Sequence, residues 1–116
     1  MNKYEAGLYG QKTAEDYLIS KGYVILERNF RTRTGEIDII AREEPSGYIV
    51  FAEIKYRADT GYGFPREAVG ITKQQKIIET AMHYIAINES DNCDFRFDVI
   101  EVLGKELCHI ENAFGV

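Results

Sequence analysis

From Asn2 to Lys21, the apolar and small positions Gly7, Gly10, Ala14, Tyr17 and Leu18 recur at three- and four-residue intervals, the period of one helix face, and Gly22 follows as a terminator. The spacing predicts a first helix. Gly7 and Gly10 fall on its inward face, where a missing side chain lets a strand approach closely. From Tyr23 to Phe30 the pattern changes to β-branched and aromatic residues, and after the polar turn Arg31–Thr34 a second extended run covers Gly35–Ala41. These two runs are expected to pair as a hairpin. Turn chemistry at Glu43-Glu44-Pro45-Ser46-Gly47 precedes the apolar run Tyr48–Ala52, which continues through Glu53-Ile54-Lys55-Tyr56-Arg57 and is the expected central strand.

The stretch Ala58–Gly70, with Gly61, Gly63, Pro65 and Gly70, reads as a loop long enough to carry function. A substrate clamp is one expectation for it, and an ordinary connection is the other. Thr72-Lys73-Gln74-Gln75 fits a capping box and predicts the start of a second helix. Its stripe of Ile77, Ile78, Ala81, Met82 and Ile85 should face the sheet, and the polar residues Asn88–Asn92 should end it. Phe95, Phe97 and Val99 alternate with Arg96 and Asp98 as a further strand, and a turn near Gly104-Lys105 leads to a last strand around Leu107–Asn112. The predicted order is αβββαβ plus a C-terminal strand, an α/β fold without internal repeat or linker.

A length of 116 residues allows one domain, 1–116, and leaves no room for a second. At 45% hydrophobic and 28% charged residues the chain lies far from the composition of disorder, and its six Phe and eight Tyr can fill a core without disulfides. No run approaches the ~18 apolar residues of a membrane span, and no basic segment followed by an apolar run opens the chain, so the expectation is a cytoplasmic protein with no membrane partner. Cys93 and Cys108 form no C-x-x-C pair, and with only His83 and His109 beside them the spacing of a zinc site is lacking. The two thiols read as core or strand-surface residues.

The net charge of −5 argues at first against a nucleic-acid partner. Its distribution changes the picture. Residues 89–111 hold seven acids and two bases, which accounts for the whole excess, and the first 88 residues balance at twelve of each. Within that neutral part Arg28, Arg31 and Arg33 cluster with no acid between them, and Lys55 with Arg57, then Lys73 with Lys76, add further basic points. A basic face and a solvated surface are both open readings of these clusters.

Candidate chemistry follows from strand alternation. Glu36 and Asp38 should emerge on one face of their strand, with Ile37 and Ile39 on the other. Glu53 and Lys55 should share a face of the next strand, with Ile54 opposite and Arg57 farther along. In register, Asp38 and Glu53 can both reach one divalent cation, and paired carboxylates suit Mg²⁺ or Mn²⁺. Lys55 would then sit where it can orient or deprotonate a nucleophile or offset charge on a phosphate. Singly, an acid on a strand is most often a surface residue, and Glu-x-Lys a surface charge pair. No Gly-rich phosphate loop, serine nucleophile elbow or helical His pair offers a different chemistry.

Gly35-Glu36-Ile37-Asp38-Ile39-Ile40 followed by Phe51-Ala52-Glu53-Ile54-Lys55-Tyr56-Arg57 resembles the PD-(D/E)XK nuclease signature, in particular that of the YraN-like family of small uncharacterised bacterial proteins. Gly7-Leu8-Tyr9-Gly10 with Ala14 and Leu18, Arg28-Asn29-Phe30-Arg31, the Lys73–Lys76 helix start and His109-Ile110-Glu111-Asn112-Ala113-Phe114 extend the resemblance over nearly the whole chain. It implies a restriction-endonuclease-like αβββαβ core, a central mixed sheet flanked by helices, similar to Holliday-junction resolvases. By the same resemblance Asp38 and Glu53 would bind metal and Lys55 would be catalytic. The family commonly carries Glu where this chain has Gln11, which brings no charge to a cation, and Glu15 lies one helical turn on as a substitute.

Two functions are expected. In one, the protein is a metal-dependent nuclease acting on structured DNA with Mg²⁺ or Mn²⁺. Asp38 and Glu53 are the ligands, Lys55 acts in catalysis, Glu36 and Gln11 are auxiliary, and Arg28, Arg31, Arg33, Arg57 and Lys73 contact phosphates. In the other, the nuclease fold is kept but cleavage is weak or lost, and the protein binds nucleic acid or a protein partner. A homodimer is the expectation for a junction substrate, by analogy with resolvases.

Overall fold

The helical period of the N-terminal segment forms α1 (Lys3–Ser20), opened by Asn2, whose side chain accepts a 2.8 Å hydrogen bond from the Glu5 N–H. The computed structural model describes residues 1–57, 69–88 and 93–115. Strands β1 (Tyr23–Arg31), β2 (Glu36–Glu43) and β3 (Ile49–Arg57) follow, then α2 (Ile71–Ile87), β4 (Phe95–Leu103) and β5 (Glu106–Phe114). This is the αβββαβ order with an added C-terminal strand. Residues 58–68 of the expected clamp and 89–92 of the expected helix end lie outside the described residues.

The strands form one sheet in the order β1-β2-β3-β4-β5, with β3 at its centre as its apolar run predicts. Only β3 and β4 run parallel, from Ile49 opposite Phe95 to Arg57 opposite Leu103, and the other neighbours are antiparallel. The sheet is therefore mixed, and its two faces are covered by the two helices. Ala14 and Leu18 of α1 pack with Ile39, Ala41, Val50, Ala52, Ile100 and Val102. Ile77, Ala81, Tyr84 and Ile85 of α2 pack with Ile37, Ile40, Ile49, Phe51 and Phe97 on the other side. Among the described residues no helix is long and apolar enough to cross a membrane.

Several local expectations are corrected. Ile37 and Ile39 do not share a face: Ile37 joins the α2-side core and Ile39 the α1-side core. The change falls where the β2–β3 ladder ends, at Ile39↔Ala52, and where Asn29 on the other neighbour, β1, takes a φ of +51°. Gly10 is buried, and a Cβ there would stand 2.6 Å from the Tyr56 Cβ, so it does permit the close approach of β3. Gly7 is exposed with nothing within 4 Å of such a Cβ, so it has no packing role. The capping box is not formed: Gly70 is the N-cap of α2 without a side-chain cap bond, and Gln74 instead donates to the Val69 carbonyl at 3.0 Å. In the apolar stripe of that helix Met82 is exposed, whereas Thr80 and Tyr84 are buried. The Thr80 hydroxyl is satisfied by donating to the Lys76 carbonyl at 2.7 Å.

β4 departs most from simple alternation, because Asp98 is fully buried and its neighbour Arg96 is nearly so. Arg96 donates to Asp98 at 3.0 Å, Glu43 at 3.0 Å, Glu111 at 2.8 Å and the Tyr23 hydroxyl at 2.6 Å, tying β1, β2, β4 and β5 together. Asp98 also accepts from the Asn112 N–H at 2.9 Å and lies 2.7 Å from His109 Nε2. Burial works against its charge, yet the His109 and Arg96 hydrogen bonds hold its carboxyl below the ordinary range. Part of the acidic excess in residues 89–111 is thus consumed inside the sheet.

Candidate functional site

Where β2 parts from β3, the Asp38 carboxylate replaces the missing ladder bond and accepts a 2.8 Å hydrogen bond from the Ile54 N–H. That bond brings Asp38 beside Glu53, the residue before Ile54. Glu53 is 6% exposed, and its carboxyl is pushed up to about 7 by burial first, then by the neighbouring Asp38 charge and its hydrogen bond with Asp38. Ionising Glu53 there places its charge against Asp38 in a site largely closed to water.

Two ammonium groups oppose that repulsion. Lys73, in the first turn of α2, reaches Glu53 Oε1 at 3.3 Å. Lys55, two residues beyond Glu53 on β3, is half-buried, and its pKa is lowered by burial and then by the charge of Lys73. The start of α2 is thereby the element that completes the cluster, with one acid from β2, an acid and a lysine from β3, and a lysine from the helix.

The other expected site residues divide into two groups. Gln11, Arg31 and Glu36 line with Asp38 a cleft of about 670 Å³ between α1 and the β1–β2 edge. Glu36 is ion-paired with Arg31, and Gln11 forms a reciprocal amide pair with Asn29, donating at 3.0 Å and accepting at 3.1 Å. Arg28, Arg33 and Arg57 are exposed elsewhere: Arg28 binds Glu15, Arg33 lies in the turn after β1, and Arg57 ends β3. Glu15 is buried and gripped by Arg28 through Nε at 2.9 Å, which holds its carboxyl below the usual range. It is therefore committed to that pair and not to the place of a third acid.

Among the described residues no group of three or more His, Cys, Asp or Glu side chains could hold a metal ion. Asp38 and Glu53 alone still suit Mg²⁺, which takes one or two carboxylates and keeps several waters. Burial first, and the neighbouring Asp38 charge second, penalise an ionised Glu53, and a divalent cation between the two carboxylates would offset both. Sequence reasoning placed Lys73 only on phosphates and missed its bond to Glu53, because it depends on where α2 starts. Asn29 was noted only within the Arg28-Asn29-Phe30-Arg31 motif, and its pairing with Gln11 depends on where α1 packs against β1.

Comparison with known proteins places the whole chain among relatives. The family model described as Uncharacterised protein family UPF0102 matches residues 10–102. A UPF0102 protein of Lachnoclostridium phytofermentans is 50% identical over 117 residues, covering 98% of this chain and 96% of that protein. One from Clostridioides difficile is 49% identical over 116 residues, covering 98% and 100% of the two chains. Another, from Thermodesulfovibrio yellowstonii, is 47% identical over 114 residues with 98% and 99% covered.

Proposed function

The chain belongs to the UPF0102 family, and from the acid–lysine cluster it carries we propose that it is a divalent-cation-dependent nuclease hydrolysing phosphodiester bonds of structured DNA. The observation that carries this reading is the juxtaposition of Asp38 and Glu53 with Lys55 two residues along the same strand. Asp38 and Glu53 would hold Mg²⁺ or Mn²⁺. Bound there, the ion supplies polarisation of the phosphoryl group and a lowered pKa for attacking water. Asp38 is oriented by the Ile54 N–H on Oδ2, and the hydrogen bond it shares with Glu53 would give way to the cation. Lys55 Nζ, with its proton held less tightly than an exposed lysine's, is suited to exchange a proton with the nucleophile or to stabilise charge growing on the phosphate. Lys73, half-exposed at the start of α2, and Arg31 in the cleft would contact backbone phosphates and fix register.

The test is Mg²⁺- and Mn²⁺-dependent cleavage of labelled single-stranded, duplex, forked and four-way-junction DNA, with Asp38→Ala and Lys55→Ala prepared in parallel. Cleavage by the parent that disappears in both variants is the expected result. Cleavage that survives both would belong to a contaminant and remove the reading.

A second reading rests on Gln11. Its amide brings no charge toward Asp38 and is occupied by Asn29, which favours a module that binds DNA without efficient hydrolysis. Salt-sensitive DNA binding that persists in Asp38→Ala and Lys55→Ala, with no cleavage by the parent, would select this reading. Binding that ignores salt would point to a protein partner instead.

A further inference from the structure

The cleft that runs from Asp38 to the N-terminal end of α1 is larger and more apolar than phosphate contacts require. Its volume of about 670 Å³ falls in the roughly 300–1,000 Å³ range of small-molecule sites. Tyr4 and Leu8, one helical turn apart, border it while remaining 75% and 55% exposed. Between them Gly7 presents no side chain, so that stretch of wall stays open. A large aromatic ring left in solvent at the mouth of this cleft is a stacking platform of the kind that single-stranded nucleic acids use.

The polar lining fits the same occupant. Gln11 and Asn29 pair amide to amide at the cleft wall, so either one, once released by the other, offers a donor and an acceptor side by side. That is the pattern amides use to read a base edge. Asn29 holds this place with φ of +51°, a left-handed conformation that Asn tolerates better than most residues. Lys3 and Arg31 supply positive charge, and the Arg31–Glu36 ion pair is an exposed one that a phosphate can replace at little cost.

We propose that this cleft seats one unpaired nucleotide of a DNA strand, its base stacked on Tyr4 and read by the Gln11–Asn29 amides, with the adjoining phosphate directed toward Asp38. This rests on the nuclease reading for the role of Asp38, and it names the substrate class as DNA with an unpaired nucleotide beside a duplex, not continuous duplex.

The test compares fluorescence anisotropy of a blunt duplex with the same duplex carrying a short single-stranded overhang, in EDTA so that no DNA is cut. The parent protein is expected to bind the overhang about tenfold more tightly, Tyr4→Ala to lose that preference, and Tyr4→Phe to retain it. Equal affinity for both DNAs, no binding of either, or equal losses in Tyr4→Ala and Tyr4→Phe would overturn the proposal. The readout is independent of hydrolysis. Overhang preference without cleavage in Mg²⁺ or Mn²⁺ would keep the cleft and remove the nuclease, whereas cleavage with no preference would do the reverse.

Discussion

The Asp38 carboxylate takes the Ile54 backbone N–H as its partner at 2.8 Å, so one side chain both closes the end of the β2–β3 ladder and supplies half of the acidic pair. The two roles are separable by substitution. Asp38→Ala removes the bond to Ile54 and should cost about 1–3 kcal/mol, as expected for a hydrogen bond to a charged group. Asp38→Asn can still accept from that N–H and should lose less stability while losing the cation response equally. Chemical denaturation with and without Mn²⁺ separates the two variants.

Glu53 makes stability depend on pH in a direction opposite to most carboxylates. Its carboxyl keeps a proton up to about pH 7 in the folded chain but releases it near 4.5 when unfolded. Below 4.5 both states hold the proton and nothing is lost; between 4.5 and 7 only the unfolded chain has released it, so stability falls across that window by up to ~3 kcal/mol and levels off above 7, where the folded chain too has ionised. Glu53→Gln should therefore raise the melting temperature by roughly 5 °C or more at pH 8 and change it little near pH 4.5. Thermal melts at the two pH values check this. Mn²⁺ should stabilise the parent at pH 8 and leave Glu53→Gln unmoved.

Gln11 is the position where charge can be restored. Gln11→Glu breaks the amide pair with Asn29 and adds a carboxylate to the cleft that Asp38 lines. Divalent-cation affinity, read by calorimetry, should rise about tenfold if this residue faces the ion, a gain of about 1.4 kcal/mol. Unchanged affinity would place Gln11 outside the cation's reach.

The two glycines of α1 make an internal control. Gly10→Ala would put a methyl group 2.6 Å from the Tyr56 Cβ, on the strand that carries Glu53 and Lys55, and should destabilise by about 1–3 kcal/mol. Gly7→Ala meets nothing within 4 Å and should instead stabilise the helix by about 0.5–1 kcal/mol. Urea unfolding of both variants tests the contrast.

Much of the fold was readable from the residues, because hydrophobic period and turn chemistry are local. The central place of β3 follows from its apolar run, and the order of elements from changes in period. What escaped the sequence depends on distant partners. Ile37 and Ile39 part company where β3 stops pairing at Ile39, which no property of β2 announces. Arg96 and Asp98 look like outward polar residues of an alternating strand, and only Glu43, Tyr23, Glu111 and His109 arriving from elsewhere make their burial tolerable. At the site, the Asp38–Glu53 pairing was an expectation from strand alternation and from the family resemblance. The Lys73 contact and the loss of Glu15 to Arg28 needed helix placement in three dimensions.

The single parallel pairing, β3 with β4, also bears on the order in which the protein assembles. β1–β2, β2–β3 and β4–β5 join neighbours in sequence across short turns, whereas Ile49 meets Phe95 only after the chain has travelled through α2. Closing that long loop costs entropy the hairpins do not face, so protection from amide exchange should appear in β1–β3 before β4 docks. Asp38 and Glu53 belong to the early-forming hairpins, and Lys73 arrives with the helix of the late crossover. During folding the two acids would thus lie close before Lys73 reaches them, and a divalent ion present at that moment should hasten folding as well as stabilise its product.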